Sequence, residues 1–538
     1  MIAFAMLHGP VAKLGVVAVA VLAAGAILIG QPRARAAAML GALVLAPMLL
    51  LADIWHSPQL SVVHRHPLVA LGGAAVGLVV IGALAVVIRR RVWLLAPLAV
   101  LALPFRVPIA SGGSTSNLLV PLYLVVAAGA LAAIAPAFGW FTQRREEPVW
   151  RDERERELER AEREVARRSG LTYPEPVVAH RAGPEVWVER LLVVYVVLYA
   201  IQAVYSSDFE KALQQMVFFY VPFALLFSLL RRLAWTRWLV IRCLQVVVGL
   251  AVVFAAIGFV EYASKTLLLN PKLVAANDVH AYFTVNSVFF DPDIFGRFLA
   301  LVMIWLAAVL LNAREPRLQI GSTLVLAILW GGLVLTLSRS SLGALLVGLA
   351  TLAALRWKAW PVITAAALVV VLGGAALAIS PKTFGLNQGL NGASSGRANL
   401  VTGGIELFGD RPVWGFGSGS FVSQYKAHHP HSSKTLSASH TIPITIGAEQ
   451  GLIGELAYIA LVLVALLALL RGSGADPVRA AIAAAFIALV FHTMLYADFL
   501  EDPITWVLLG VGSALAPGRP DEGLAARERA GGSDAIPA

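Results

Sequence analysis

Gln319–Leu355 reads QIGSTLVLAILWGGLVLTLSRSSLGALLVGLATLAAL, two apolar runs with one arginine, Arg339, between them and no acid anywhere in the stretch. Crossing a hydrocarbon core of about 30 Å takes roughly 20 apolar residues in a helix, because only a helix satisfies its own backbone there. The stretch therefore reads as a membrane hairpin with Arg339 at its tip. The rest of the chain agrees. With 59% hydrophobic and 14% charged residues, a chain of 538 residues cannot be arranged as a water-soluble globule. The expected class is an all-α polytopic membrane protein.

About fifteen stretches have the length and apolarity of a span, so about 12–15 transmembrane helices are expected. They lie near 11–30, 36–53, 67–88, 92–110, 117–139, 188–206, 211–230, 239–261, 293–312, 318–337, 340–355, 359–379, 448–470, 479–497 and 503–516. Alternate connections are basic: Arg33 and Arg35; Arg89, Arg90 and Arg91; the segment 140–187; Arg231, Arg232 and Arg237; Arg314 and Arg317; Arg356 and Lys358; Arg471 and Arg479. Cytoplasmic loops carry the excess of Lys and Arg, which puts these inside and the N-terminus outside. The loop 54–66, residues 262–292, Ser338-Arg339 and the loop 380–447 then face out. The net charge of +10 is largely this topology signal, spread over short loops. A nucleic-acid surface needs a clustered basic face, so no nucleic-acid partner is expected. The one cysteine, Cys243, lies in a span and offers neither a disulfide framework nor a cysteine metal site.

This divides the chain into a five-helix region, 1–139; a charged cytoplasmic linker, 140–187; a membrane core, 188–516; and a polar tail, 517–538, expected to be disordered. The linker, with RREEPVWRDERERELERAEREVARRSG, has many opposite charges three or four residues apart and no apolar stripe, so it reads as a solvated helix. No internal repeat is visible.

An outer loop as long as 380–447 needs a reason. In SSGRANLVTGGIELF, Ser394 or Ser395 can cap a helix with Leu400, Ile405 and Phe408 along one side. GDRPVWGFGSGSF then supplies tight turns around two aromatics, Trp414 and Phe416, expected to be buried. An ordered catalytic or binding lid is the reading that gives such a loop a purpose.

Arg339 lies where the positive-inside tendency disfavours a base, and so do Arg297 in DPDIFGRFLAL, Arg397 in SSGRANL and Arg411 in GDRPVW. Several such exceptions at one face suggest an anion site, since guanidinium binds phosphate oxygens in a planar fork and stays charged. Proton transfer near neutrality calls for a histidine, and His440 in SASHTIP is the candidate. His428, His429 and His431 lack a carboxylate or cysteine partner in sequence and make a weak ligand set, so no metal is expected. Trp414, Phe416 and Tyr425 can be sugar-stacking faces or packing in the turns.

Taken in order, NSVFFDPDIFGRFLALVM, TLSRSSLGALL, SSGRANLVTGGIELFGDRPVWGFGSGSF and SHTIPITIGAEQGLIGELAYIALV resemble the shared core of the O-antigen ligase and polymerase superfamily over roughly residues 285–470. The resemblance implies a fold like that of the type C glycosyltransferases and a bacterial cytoplasmic-membrane enzyme that acts without cofactor or metal. Its donor would be a glycan on a polyprenyl (undecaprenyl) pyrophosphate; the acceptor, a hydroxyl of a glycan, lipid or protein at the outer face. It implies pyrophosphate binding by Arg339 and Arg397 and action of His440 on the acceptor. Arg297 and Arg411 are candidate helpers, and Glu449 is a candidate for holding the imidazole. Members often carry Asn after this histidine; here it is Thr441, whose hydroxyl can stand in. Ligase and polymerase share this donor chemistry and differ in acceptor. A lipid-linked glycan transporter and a non-catalytic scaffold are the competing classes.

Overall fold

The computed structural model describes residues 9–53, 66–111, 114–139, 183–267, 283–357, 360, 361, 364, 397–430, 439–496 and 498–516. Residues 140–182 of the linker, the tail and nearly all of the expected span 359–379 lie outside these residues, as do Ser394, Ser395 and His431, while the last four linker residues already belong to a helix, Pro184–Ala203.

The described helices are α1 (Pro10–Leu28), α2 (Pro32–Asp53), α3 (Pro67–Arg90), α4 (Leu95–Ala102), α5 (Val120–Ala137), α6 (Pro184–Ala203), α7 (Phe209–Gln215), α8 (Val221–Arg232), α9 (Arg237–Ser264), α10 (Pro292–Asn312), α11 (Pro316–Leu335), α12 (Arg339–Arg356), α13 (Arg397–Asp410), α14 (Phe421–His428), α15 (Ile442–Leu470), α16 (Pro477–Thr493) and α17 (Pro503–Ala514). A π-helical turn, Met216–Tyr220, joins α7 to α8. Among the described residues, eleven helices are long and apolar enough to cross a membrane, and Val92–Ala102, Pro477–Thr493 and Pro503–Ala514 are shorter apolar helices. The protein is an all-α polytopic membrane protein.

Proline sets many of the starts. It occupies the first or second position of α1, α3, α5, α6, α8, α10, α11, α15, α16 and α17, where its missing N–H is not needed and its fixed φ suits the helix. Asp291, Ser338, Asp476 and Asp502 cap α10, α12, α16 and α17 through their side chains.

One expected span is not there. Residues 92–110 give a short helical turn, the eight-residue α4, and then a strand, Val107–Ser111, paired antiparallel with Ser114–Leu118. Pro104 and Pro108 interrupt the helix, and the polar residues that follow favour an extended hairpin.

Helix α1 packs into the same apolar core as the helices of residues 184–516; Ser228 Oγ of α8 donates to the Ala26 carbonyl of α1 at 2.5 Å. One end of the bundle collects the basic loops. There Arg232 donates to Ile27 O at 2.8 Å, Arg231 pairs with Glu189, and Arg471 pairs with Glu185 at 4.0 Å. Arg479, 4% exposed, donates to the carbonyls of Ala468, Arg471, Gly512 and Leu515. These cations cap helix C-termini, where the macrodipole favours positive charge.

Candidate functional site at the end opposite the basic loops

At the other end α15 is broken. Gly451 has φ 63° and ψ −164°, so the helix loses backbone pairs on both sides of it. Residues 411–417 supply the missing partners. Phe416 N donates to Ala448 O at 3.1 Å and Gly417 N to Glu449 O at 2.7 Å, while Leu452 N donates to Pro412 O at 2.7 Å. Glycine is required here: a Cβ on Gly451 would lie 2.4 Å from Val413 O, and one on Gly415, at φ +66°, 2.3 Å from Glu449 O. Non-helical backbone at membrane depth persists only where protein or an aqueous cavity satisfies it, and here the loop does so.

Glu449 belongs to this clasp. Its Oε2 accepts from Gly419 N at 2.8 Å and its Oε1 from Phe421 N at 3.0 Å. That corrects the expectation that it holds the imidazole of His440: both oxygens face the glycine turn. Glu261 acts in parallel on a second loop, accepting from Asn286 N and Ser287 N at 3.3 and 2.9 Å.

The two SR and SGR arginine motifs meet at Asp293, in the first turn of α10. Its Oδ1 accepts from the hydroxyls of Ser338 and, at 3.1 Å, Ser340; its main-chain carbonyl accepts from Ser341 Oγ at 3.1 Å. Its Oδ2 lies 3.6 Å from Arg397 Nη2, and Arg397 Nη1 donates to Leu495 O at 3.1 Å. Below the serines, His492 Nε2 is 3.2 Å from Ser340 Oγ and 3.3 Å from Ser341 Oγ. Arg339 is exposed, and Arg397 is 39% exposed. Both are open to a ligand.

His440 sits just before α15 with φ 60°, half-buried, its ring centroid 5.9 Å from that of Tyr496. Burial, and then the charge of Arg397, hold its pKa below the usual 6.5, with Asp293 and Asp498 opposing them in part. A neutral imidazole at pH 7 can accept a proton. The Thr441 hydroxyl is not on that ring; it donates to Met494 O at 3.2 Å and ties the approach to α15 to the end of α16.

The other candidates fall elsewhere. Arg297 is 2% exposed and paired with Asp502 at 2.7 Å, so it is buried beside the site and not open at the outer face. An arginine in the second turn of a well-packed helix points into protein, which the apolar run FGRFLAL conceals. Arg411 lies beyond the far end of α13, whose 14 residues separate it from Arg397 by about 20 Å, and its guanidinium is over the Phe416 ring at 4.6 Å. Trp414, expected to be buried, is 57% exposed, and its carbonyl accepts from Tyr205 OH at 2.6 Å. Tyr425 is buried, stacked on Phe421, with its hydroxyl 3.3 Å from Asn399 O, so it packs under α13. His428 and His429 pair separately with Asp410 at 3.3 Å and Glu406 at 3.7 Å. Among the described residues no three His, Cys, Asp or Glu groups are placed to hold a metal.

Sequence reasoning missed Asp291, Asp293, His492 and Tyr496. DPD before an apolar run reads as a helix cap, which Asp291 is, with Oδ1 2.7 Å from Asp293 N. His492 carried a usable signal, since an ionisable residue inside an apolar span is a functional candidate by default.

Broken helix, loop clasp and clustered arginines define a multi-pass membrane protein with a polar site at one end of its bundle. Residues 324–459 match the O-antigen ligase family model, which begins in α11 and ends in α15. Over that segment, about a quarter of its length, the chain is similar to the O-antigen ligases. No curated protein matches it.

Proposed function

We propose that the chain is a membrane glycosyltransferase that moves a glycan from a polyprenyl pyrophosphate to an acceptor hydroxyl at the outer face of a bacterial cytoplasmic membrane. The observation that carries the reading is the meeting of Arg397, the serines flanking Arg339, and Asp293 beside His440. It lies at the end of the bundle away from the basic loops, which by the positive-inside tendency is the outer one.

In this mechanism the acceptor oxygen attacks the anomeric carbon as the bond to the pyrophosphate oxygen breaks. The two arginines neutralise the charge growing on the leaving group. His440 takes the acceptor proton, and attack opposite the leaving group inverts the anomeric centre. The arginines supply the positive charge, so the step as written calls for no metal.

A transport reading draws on the break at Gly451, because transporters place substrate sites at discontinuous helices. Here the break is occupied by backbone of residues 412–417, which favours surface chemistry. The deciding experiment reconstitutes the full chain in liposomes with a polyprenyl pyrophosphate oligosaccharide and host membrane extract as acceptor source. Release of carrier by wild type, lost in Arg397→Ala and His440→Ala at unchanged folding, supports the enzyme. Movement of donor across the bilayer without release supports transport. The labelled product identifies the acceptor and separates ligase from polymerase.

A further inference from the structure

We propose that Asp293 is the positioning residue for both arginines of the anion site, holding Arg397 directly and Arg339 through the serines on either side of it. The inference rests on the pyrophosphate reading of those arginines, but its first test does not.

One carboxylate touches both motifs, with one oxygen for each. Oδ1 takes the hydroxyls of Ser338 and Ser340, the chain neighbours of Arg339, and Oδ2 faces Arg397 Nη2 at 3.6 Å. Ser338 does two jobs with one oxygen: its lone pair caps α12 by accepting Ser341 N at 3.2 Å, while its proton goes to Asp293. The start of α12, and with it the direction in which Arg339 leaves the backbone, is therefore set by a side chain of α10. Ser341 Oγ closes the same joint on the Asp293 carbonyl at 3.1 Å. His492 Nε2, within 3.3 Å of both Ser340 and Ser341 hydroxyls, backs them from α16.

The two halves of the joint differ in strength. The serines are buried and three hydrogen bonds tie them to Asp293, so Arg339 has a fixed origin. The Arg397 contact is half-exposed and long, and such a pair contributes little to stability. Arg397 is thus held near its working place and remains free to exchange the carboxylate for a phosphate oxygen. Neither role is visible from the motifs alone, since Asp293 is 45 residues from Ser338 and lies in a different helix.

Two variants separate the halves. Asp293→Asn keeps an oxygen acceptor for the serines and loses the charge facing Arg397; Asp293→Ala loses both. The first measurement is phenylglyoxal modification of the reconstituted full chain without donor, followed residue by residue by peptide mass. Arg397 should react roughly fivefold faster in Asp293→Asn with Arg339 unchanged, and both should react faster in Asp293→Ala. The second is transfer from a polyprenyl pyrophosphate oligosaccharide. Asp293→Asn should lower it roughly tenfold and Asp293→Ala roughly a hundredfold, and Asp293→Asn should cost nothing further in an Arg397→Ala background. Unchanged modification rates in both variants overturn the proposal, and so does a multiplicative loss in the double variant. If modification responds as expected while no protein, wild type included, releases carrier from any donor tried, Asp293 keeps its positioning role and the donor reading falls.

Discussion

Arg479 and Arg397 sit at opposite ends of the bundle and are held in opposite ways. Arg479 is 4% exposed and gives five hydrogen bonds to the carbonyls of Ala468, Arg471, Gly512 and Leu515. Arg397 is 39% exposed and, among the described residues, meets one carbonyl at 3.1 Å and one carboxylate at 3.6 Å. A guanidinium can close helix ends or receive an anion, and the number of donors already committed decides which. Motif position does not distinguish the two, because both arginines stand near the end of a helix. The same contrast holds between two candidates at that end: Arg297 is buried against Asp502, while Arg339 is exposed.

The comparison can be broken most directly at Arg397. Arg397→Ala should lower transfer by roughly a thousandfold, about 4 kcal/mol of transition-state stabilisation, with little change in thermal unfolding. A stability loss without an activity-specific loss would make it an Arg479. Conversely, Arg479→Ala should destabilise the protein by about 3 kcal/mol, because four carbonyls lose charged donors, while the folded fraction keeps its donor affinity. Unfolding in detergent together with donor titration reads both. Arg339→Lys keeps the charge and loses the planar fork; transfer should fall roughly tenfold at normal expression, and full activity would argue against bidentate phosphate binding.

Two smaller effects concern protons. His440 must be neutral to accept one, so activity should fall on the acid side as pH drops through its pKa, which burial and Arg397 place below 6.5. Asp293 opposes that lowering; Asp293→Asn should move the acid limb to lower pH still, which a pH profile of kcat/KM checks. Asp291 is raised from 3.8 to about 6, chiefly by burial and then by Asp293. A carboxyl raised on folding favours the native state when protonated, at low pH, and that advantage is lost as pH climbs through 6. At pH 7.5 Asp291→Asn, which still caps α10, should therefore raise the melting temperature by about 3 °C, an increase that shrinks toward pH 4.

Much of the candidate site was legible because its residue types fall in short motifs. Arg339, Arg397 and His440 are candidates by residue type, by the positive-inside expectation for their loops, and by order along the chain. Glu449, Trp414 and Arg297 show where that kind of reading stops. A glutamate beside a histidine motif reads as its partner, yet the break at Gly451 brings the amides of Gly419 and Phe421 to it instead. Pattern cannot say on which side of a turn an indole emerges, and Trp414 emerges into the open.

The sequence by itself determined that this is a polytopic helical membrane protein, where most helices begin, and which loops are basic. Apolar length, proline placement and Lys/Arg bias are local quantities, and a bilayer turns them directly into structure. Only the tertiary structure decided which charges are committed and which are free. Asp293 and Arg397, or Arg297 and Asp502, are brought together by helices distant in sequence, and a charge shows its purpose only once the groups packed around it are known.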